Sequence, residues 1–347
     1  MRIVVVDFAA SIGGGISILN SFYDYLLKSN DKNEWIFLLG DHYIEETENV
    51  KVVILKKQKK SRFSRLAFDF IYGRRLIKKL NPDAVFYLQN TLISGVKVPQ
   101  IMYMDQSIPF QTEKKFRFTK KSEFKYAVYQ YVIGKLNHKA CKKANKTIVQ
   151  TQWLKDAVIS QCKIQEDRVV HIPPNCFSAY ENYFAEKIDR TTFFYPASSA
   201  VYKNHKCIYD AIDKLDVECN VLLTLNKEVP ASKMCKHIGT ITQEQVYEIM
   251  QKSVLLFPSY IESYGLPLKE ARSIGTLILA SDTAFAREIL DGYENAYFFN
   301  PFNPEELAVL MKKIVVGEIV HKKQIEDNSI SSCNTWSEVI RVIEGAK

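Results

Sequence analysis

Apolar residues along this chain fall into short unbroken runs, separated by longer stretches in which they recur every three or four positions. That pattern is one of buried strands alternating with amphipathic helices. In the first half, strands are predicted at Arg2 to Phe8, Trp35 to Leu39, Val50 to Leu55, Ala84 to Leu88, Gln100 to Met104 and Thr147 to Gln150. Helices are predicted up to Leu27, from about Leu66 to Leu80 and from about Glu123 to Ala144, with Thr151 capping another that opens at Gln152. Asn81-Pro82-Asp83 ends the second of these. In the second half the runs at Thr192 to Tyr195, Val221 to Thr224, Lys236 to Ile238, Val254 to Phe257, Thr276 to Ala280 and Ala296 to Phe299 predict strands. Helices are predicted from His205 to about Leu215, from Thr242 as N-cap to Gln251, and beyond Asn303, which precedes Pro304 as a cap. Thr335 to Ile343 reads as a short amphipathic helix. The alternation predicts an α/β architecture with parallel sheets, and 347 residues suffice for two domains with a core each.

The chemistry concentrates in Phe257 to Asp282, FPSYIESYGLPLKEARSIGTLILASD. Pro258 closes a strand, Gly265 and Pro267 open a helix, and Gly275 stops it. Glu262 falls in the loop and Glu270 about one turn into the helix, both near the carboxyl end of a parallel strand, where open α/β sheets bind ligands. The N–H groups of Tyr264, Gly265 and Leu266, with Ser263 before them, are expected at the positive end of the helix, an anion cradle that needs no basic side chain. Two carboxylates beside such a cradle suit a ligand with hydroxyls and phosphates, as in a nucleotide-sugar.

This segment resembles the E-x7-E signature of family 4 of the retaining glycosyltransferases, with the neighbouring PS, GLP, ASD and Arg287-Glu288 fitting as well. The resemblance is close over residues 190 to 345 and looser over 1 to 175. It implies a GT-B fold of two Rossmann-like domains facing a central cleft: an acceptor-side domain over 1–173, a nucleotide-sugar domain over 174–330, and a last helix over 331–347 returning to the first. Val169 to Pro174 would be the linker. By the same resemblance Glu270 accepts hydrogen bonds from the ribose hydroxyls, Glu262 holds the transferred sugar, and Gly239 in the Gly239-Thr240 loop lies against the base. Lys203, in Lys203-Asn204, grips the donor diphosphate; Ala197-Ser198 stands where the family has Gly-Arg, so Ser198 supplies a hydroxyl in place of a second cation. Gly14 and Gly15 belong to a glycine loop facing the cleft. Asp105 follows Met104, where the family often has His, and reads either as a partner for an acceptor hydroxyl or as a turn residue.

Composition and charge refine this picture. The net charge of +8 divides into +13 over residues 1–170, which hold 29 Lys and Arg against 16 Asp and Glu, and −5 over residues 171–347, with 18 against 23. The basic residues cluster at Lys56 to Arg65, Arg74 to Lys79 and Lys114 to Lys125, interleaved with Phe63, Phe116, Phe118 and Phe124. Such a mixture suits an anionic membrane surface, at about 1 kcal/mol per cation near the headgroups. A solvated face and nucleic acid are the competing readings, and nucleic acid is not the expected partner. No apolar run approaches the length of a membrane span, Asp7 interrupts the N-terminal run, and seven scattered cysteines read as free thiols, so the expected location is cytoplasmic, peripheral on the inner face of the plasma membrane.

The expected activity is metal-independent, retaining transfer of a sugar from a nucleotide-sugar to a saccharide or lipid-linked saccharide in bacterial polysaccharide synthesis. No D-x-D motif occurs to cradle a metal, and no cofactor is expected. Glu262, Lys203 and Asp105 are the candidate catalytic residues. Three alternatives stay open: a catalytically silent nucleotide-sugar-binding subunit, a sugar-nucleotide epimerase or phosphorylase, and a nicotinamide oxidoreductase read from the three glycines after the first strand and from Asp41.

Overall fold

The computed structural model describes residues 1–8, 14–59, 61–174, 183–226, 234–322 and 335–346. The chain forms two compact units, one of Met1–Thr119, Phe124–Asn175 and Cys333–Lys347, the other of Lys120–Glu123 and Cys176–Ser332.

The first unit holds strands β1 (Arg2–Asp7), β2 (Glu34–Leu39), β3 (Val50–Ile54), β4 (Ala84–Tyr87), β5 (Gln100–Met104), β6 (Lys146–Val149) and β7 (Val169–His171). They form one parallel sheet in the order β3-β2-β1-β4-β5-β6-β7. Helices α1 (Gly14–Lys28), α2 (Lys56–Lys59), α3 (Arg62–Ala67), α4 (Gly73–Leu80), α5 (Lys121–Ala127), α6 (Gly134–Lys143) and α7 (Gln152–Cys162) intervene. A strand alternates its side chains between faces, and β1 shows the result. Val4 and Val6 pack with Ile77, Ala140, Leu154 and Val158 from α4, α6 and α7, while Ile3 and Val5 pack with Leu19 and Phe22 of α1. Both faces are therefore covered, which is why the strands read as continuous apolar runs.

The second unit holds β8 (Thr192–Tyr195), β9 (Asn220–Leu223), β10 (Cys235–His237), β11 (Val254–Phe257), β12 (Ile278–Ser281) and β13 (Ala296–Phe299). These are parallel, in the order β10-β9-β8-β11-β12-β13. Its helices are α8 (His205–Ile212), α9 (Gln243–Met250), α10 (Leu266–Ile274), α11 (Ala284–Ile289) and α12 (Pro304–Val315). The last helix, α13 (Thr335–Glu344), belongs to the first unit, where Trp336 packs 4.8 Å from the Phe22 ring and donates to Ser21 Oγ at 2.9 Å.

Local details depart from the sequence expectations in several places, one being Thr151, which stands at the N-cap of α7 with no side-chain bond to a helix amide. Val169–His171, within the stretch read as a linker, is a strand paired with β6. The helices expected over residues 66–80 and 123–144 are each interrupted by a π turn, at Phe68–Tyr72 and Val128–Ile133. Asn303 stands at the N-cap of α12 without bonding a helix amide, and its Nδ2 instead donates to Glu306 at 2.9 Å. Thr242 does cap α9, through a reciprocal capping box with Gln245.

Candidate active site

The chain of the second unit winds from β8 outward to β9 and β10, then returns to the other side of β8 to continue through β11, β12 and β13. Loops leaving the carboxyl ends of β8 and β11 therefore diverge, and the crevice at such a switch point is where parallel sheets take ligands. Pairing of Phe193 with Val254 and Phe194 with Leu255 ends the two strands side by side.

Beyond β8, Lys203 ends a 3-10 turn and Asn204 leads into α8 at φ 58 and ψ 37, a left-handed conformation that Asn tolerates better than most residues. Asn204 Nδ2 donates to the carbonyls of Pro301 at 2.7 Å and Pro258 at 3.3 Å, tying this turn to the loops after β13 and β11. The Tyr195 hydroxyl donates to the Lys203 carbonyl at 3.0 Å. With its backbone held, Lys203 directs its ammonium to Glu262 Oε1 at 2.5 Å, the two side chains being 17% and 14% exposed. Ser259, fully buried, donates to the same oxygen at 2.7 Å, and Ser281 donates to the Ser259 carbonyl. Both donors converge on Oε1, so Glu262 Oε2 accepts no hydrogen bond from any described residue.

Glu270 lies in the second turn of α10. Its Oε1 accepts from the Tyr247 hydroxyl at 3.0 Å, and that hydroxyl accepts from Gln243 Nε2 at 2.6 Å, both from α9. Burial raises the Glu270 pKa above its ordinary value, and the bonds from Tyr247 and Gln243 oppose the rise. Gly265 opens α10 at φ 92, and Pro267 is its second residue. The first-turn amides of a helix lack intrahelical acceptors, so this end is positive and suited to an anion.

The remaining candidates are placed as follows. Ser198 is exposed in the loop after β8, and the neighbouring Ala197 is buried, its carbonyl accepting from Thr224 Oγ1 at 3.3 Å. Gly239 follows β10 at φ 81, its N–H bonded to the Leu225 carbonyl at 2.9 Å. Ser263 and Tyr264 are partly buried in the loop before α10, and Leu266 is 47% exposed. His205 packs against Tyr195, and burial, helped by Lys203 and His237, pushes its pKa down to about 4, so it adds no cation at neutral pH. Lys203, Glu262, Glu270 and the start of α10 therefore gather at the carboxyl ends of β8 and β11, while Gly239 lies two strands away.

Three candidates belong to the first unit. Gly14 and Gly15 open α1 rather than a loop, and a Cβ added at Gly15 would meet no atom within 4 Å. The rest of the glycine stretch, Ser11 to Gly13, lies outside the described residues. Asp105 is clasped by Asn90, whose Nδ2 donates to Oδ1 at 2.5 Å and whose Oδ1 accepts from the Asp105 N–H at 3.0 Å. Burial raises the Asp105 pKa, opposed by the Asn90 bond. Sequence reading missed Ser259, Tyr247, Gln243 and Asn90. Ser259 could have been found three residues before Glu262 in the same loop, and Gln243 with Tyr247 by their i,i+4 spacing. Among the described residues no group of three or more His, Cys, Asp or Glu could hold a metal ion, and no helix is long and apolar enough to cross a membrane.

Residues 185–330 match the family model described as Glycosyl transferases group 1. No curated protein sequence matches the chain. Among solved structures it is similar to WaaG, a glycosyltransferase involved in lipopolysaccharide biosynthesis, at TM-score 0.71 and 13% identity, covering 99% of this chain and 100% of that one. It is also similar to Anabaena HepE in complex with UDP, at TM-score 0.66 and 12% identity, covering 99% and 100%. A sucrose-phosphate synthase from Thermosynechococcus elongatus gives TM-score 0.68 at 13% identity, covering 99% and 96%. At such identities the likeness is one of fold. The chain thus has the two-unit parallel-sheet fold of GT-B glycosyltransferases, with the Glycosyl transferases group 1 match spanning residues 185–330.

Proposed function

We propose that the chain is a retaining, metal-independent glycosyltransferase of family 4, moving a sugar from a nucleotide-sugar to a saccharide or lipid-linked saccharide acceptor in bacterial surface-polysaccharide synthesis at the cytosolic membrane face. The observation that carries this reading is the Lys203–Glu262 pair beside the α10 N-terminus at the β8/β11 switch point. The group 1 match over residues 185–330 and the structural likeness to a UDP complex support it. A leaving diphosphate gathers negative charge as the glycosidic bond breaks, and the Lys203 ammonium and first-turn amides of α10 would stabilise it. That diphosphate competes with Glu262 Oε1 for the ammonium, so donor binding would loosen the ion pair. Glu262 would then turn to the hydroxyls of the transferred sugar, and Glu270 would accept from the ribose. Asp105, held by Asn90, would receive an acceptor hydroxyl. We prefer front-side transfer, in which the departing phosphate oxygen takes the acceptor proton, so that the anomeric configuration is kept. Ser198 in place of a cation leaves Lys203 as the side-chain cation assigned to the diphosphate.

The test is to mix the chain with UDP-, GDP-, ADP- and CMP-sugars and a panel of saccharide-bearing polyprenyl diphosphates, and to measure acceptor-dependent release of nucleotide together with the anomeric coupling of the product by NMR. Release with retained configuration is expected. No acceptor-dependent release from any donor would overturn the reading, inversion would remove the retaining mechanism, and conversion of donor without acceptor would favour an epimerase.

A further inference from the structure

Sixteen large apolar side chains are exposed among the described residues, and nine of them, all residues of the first unit, fall in two short segments, 63–72 and 118–132. In the first, Phe63 is 85% exposed, and the consecutive Phe70, Ile71 and Tyr72 are 44%, 55% and 57% exposed. Three adjacent exposed apolar residues are unusual on a water-facing surface and point to a partner. Their adjacency follows from the π turn Phe68–Tyr72, whose extra residue per turn widens the arc of side chains turned outward. The second segment repeats the device. Its π turn Val128–Ile133 exposes Tyr131 and Val132, and Phe118 packs 6.0 Å from Phe124 and 5.7 Å from Tyr131 while remaining 47% exposed. The two segments are neighbours, because α6 continues the second π turn and its Lys139 Nζ lies 5.7 Å from the centre of the Phe70 ring.

The charge along the sequence of these two segments is predominantly basic. Residues 56–79 contain ten Lys and Arg, and their one acidic residue, Asp69, is 2% exposed. Residues 114–125 contain six, and Glu123 there is 4% exposed. Arg74, Arg75, Lys78 and Lys79 are all exposed. A protein partner that buried these aromatics would also need a dense acidic rim. A bilayer carrying anionic lipid supplies both an apolar interior for the aromatics and phosphates for the cations.

We propose that the two π-turn segments form a docking surface for an anionic lipid bilayer, with Phe63, Phe70, Ile71, Phe118, Phe124 and Val132 entering the headgroup region and the flanking cations lying on its phosphates. The proposal deepens the membrane-side part of the proposed function, and its test involves no sugar transfer, so either can fail without the other. The full chain is floated with vesicles of phosphatidylcholine alone and with about one-third phosphatidylglycerol, near physiological salt. Binding to the anionic vesicles and little to the neutral ones is expected. The combined Phe63→Ser, Ile71→Ser and Phe124→Ser variant should lose tenfold or more of that binding with an unchanged thermal midpoint, since these side chains are exposed. Lys78→Glu with Lys79→Glu should lose it as well. Absence of binding to anionic vesicles would overturn the proposal. So would undiminished binding of the serine variant, which would leave only a diffuse charge effect, or equal competition by a DNA oligonucleotide, which would make this a nucleic-acid face.

Discussion

Lys203 holds one carboxylate oxygen at 2.5 Å in a half-enclosed site, and that pairing sets what each residue can do next. Lys203→Ala removes the charge proposed to meet the leaving diphosphate, so steady-state kinetics should show kcat lowered about a hundred- to a thousandfold. Glu270 works in a different regime. Its pKa is raised by burial, so its share of folding stability is fully present below the ordinary carboxyl range and is lost as pH rises through the raised value. The proposed ribose contact needs the ionised form. Donor binding should therefore weaken as pH falls through that raised value. Glu270→Gln should flatten this acid limb and weaken donor binding by about 1.5–3 kcal/mol. Tyr247→Phe removes a bond that pulls the pKa down, and should move the acid limb to higher pH; Kd measured against pH checks both, and an unmoved limb in Tyr247→Phe would contradict the assigned contact. The acidic pair itself was legible in the sequence, because both residues lie in one strand-loop-helix unit. The bonds of Tyr247 to Glu270 and of Asn90 to Asp105 were not, because these partners are 23 and 15 residues apart and only the fold joins them.

At the scale of single elements, legibility follows how local the determining signal is. β11 and β13 were read to the residue, because a run of apolar side chains between turn residues is a local fact. Gly265 and Gly275 mark the ends of α10 for the same reason, at φ 92 and φ 85. A Cβ at Gly265 would find its nearest neighbour at 3.5 Å, so Gly265→Ala is limited by backbone strain rather than space and should cost roughly 1–2 kcal/mol in denaturant unfolding. β7 was misread because three residues at a sheet edge become a strand only through pairing with β6. The π turns left no local signature either. One of them carries Asp69, 2% exposed, whose pKa burial pushes up to about 6 against a bond from Thr91. That raised value stabilises the fold most at low pH. The Asp69 contribution should fall by about 1.4 kcal/mol per pH unit between its ordinary pKa and about 6, then level off. Asp69→Asn should flatten that portion of a thermal-unfolding series against pH.

Across the whole molecule, alternation of strand and helix announced the two parallel sheets, and the strand order, which creates the switch points, emerged only in three dimensions. The +13 and −5 halves were readable as charge, but the sequence left open whether the basic half was a solvated face. The exposed aromatics of the π turns are the observation on which the proposed bilayer partner for that charge rests. α13 ties the end of the chain to the first unit through Trp336, 5% exposed, and Trp336→Ala should cost about 3–5 kcal/mol of stability in that unit. The central claim concerns the crevice between β8 and β11, and a thermal-shift titration with UDP-, GDP-, ADP- and CMP-sugars tests it most directly. One nucleotide class at a hundred times its Kd should stabilise the chain by about 2.7 kcal/mol, and Lys203→Ala and Glu270→Gln should each diminish that shift. A shift of the same size in both variants, or none with any donor, would contradict it.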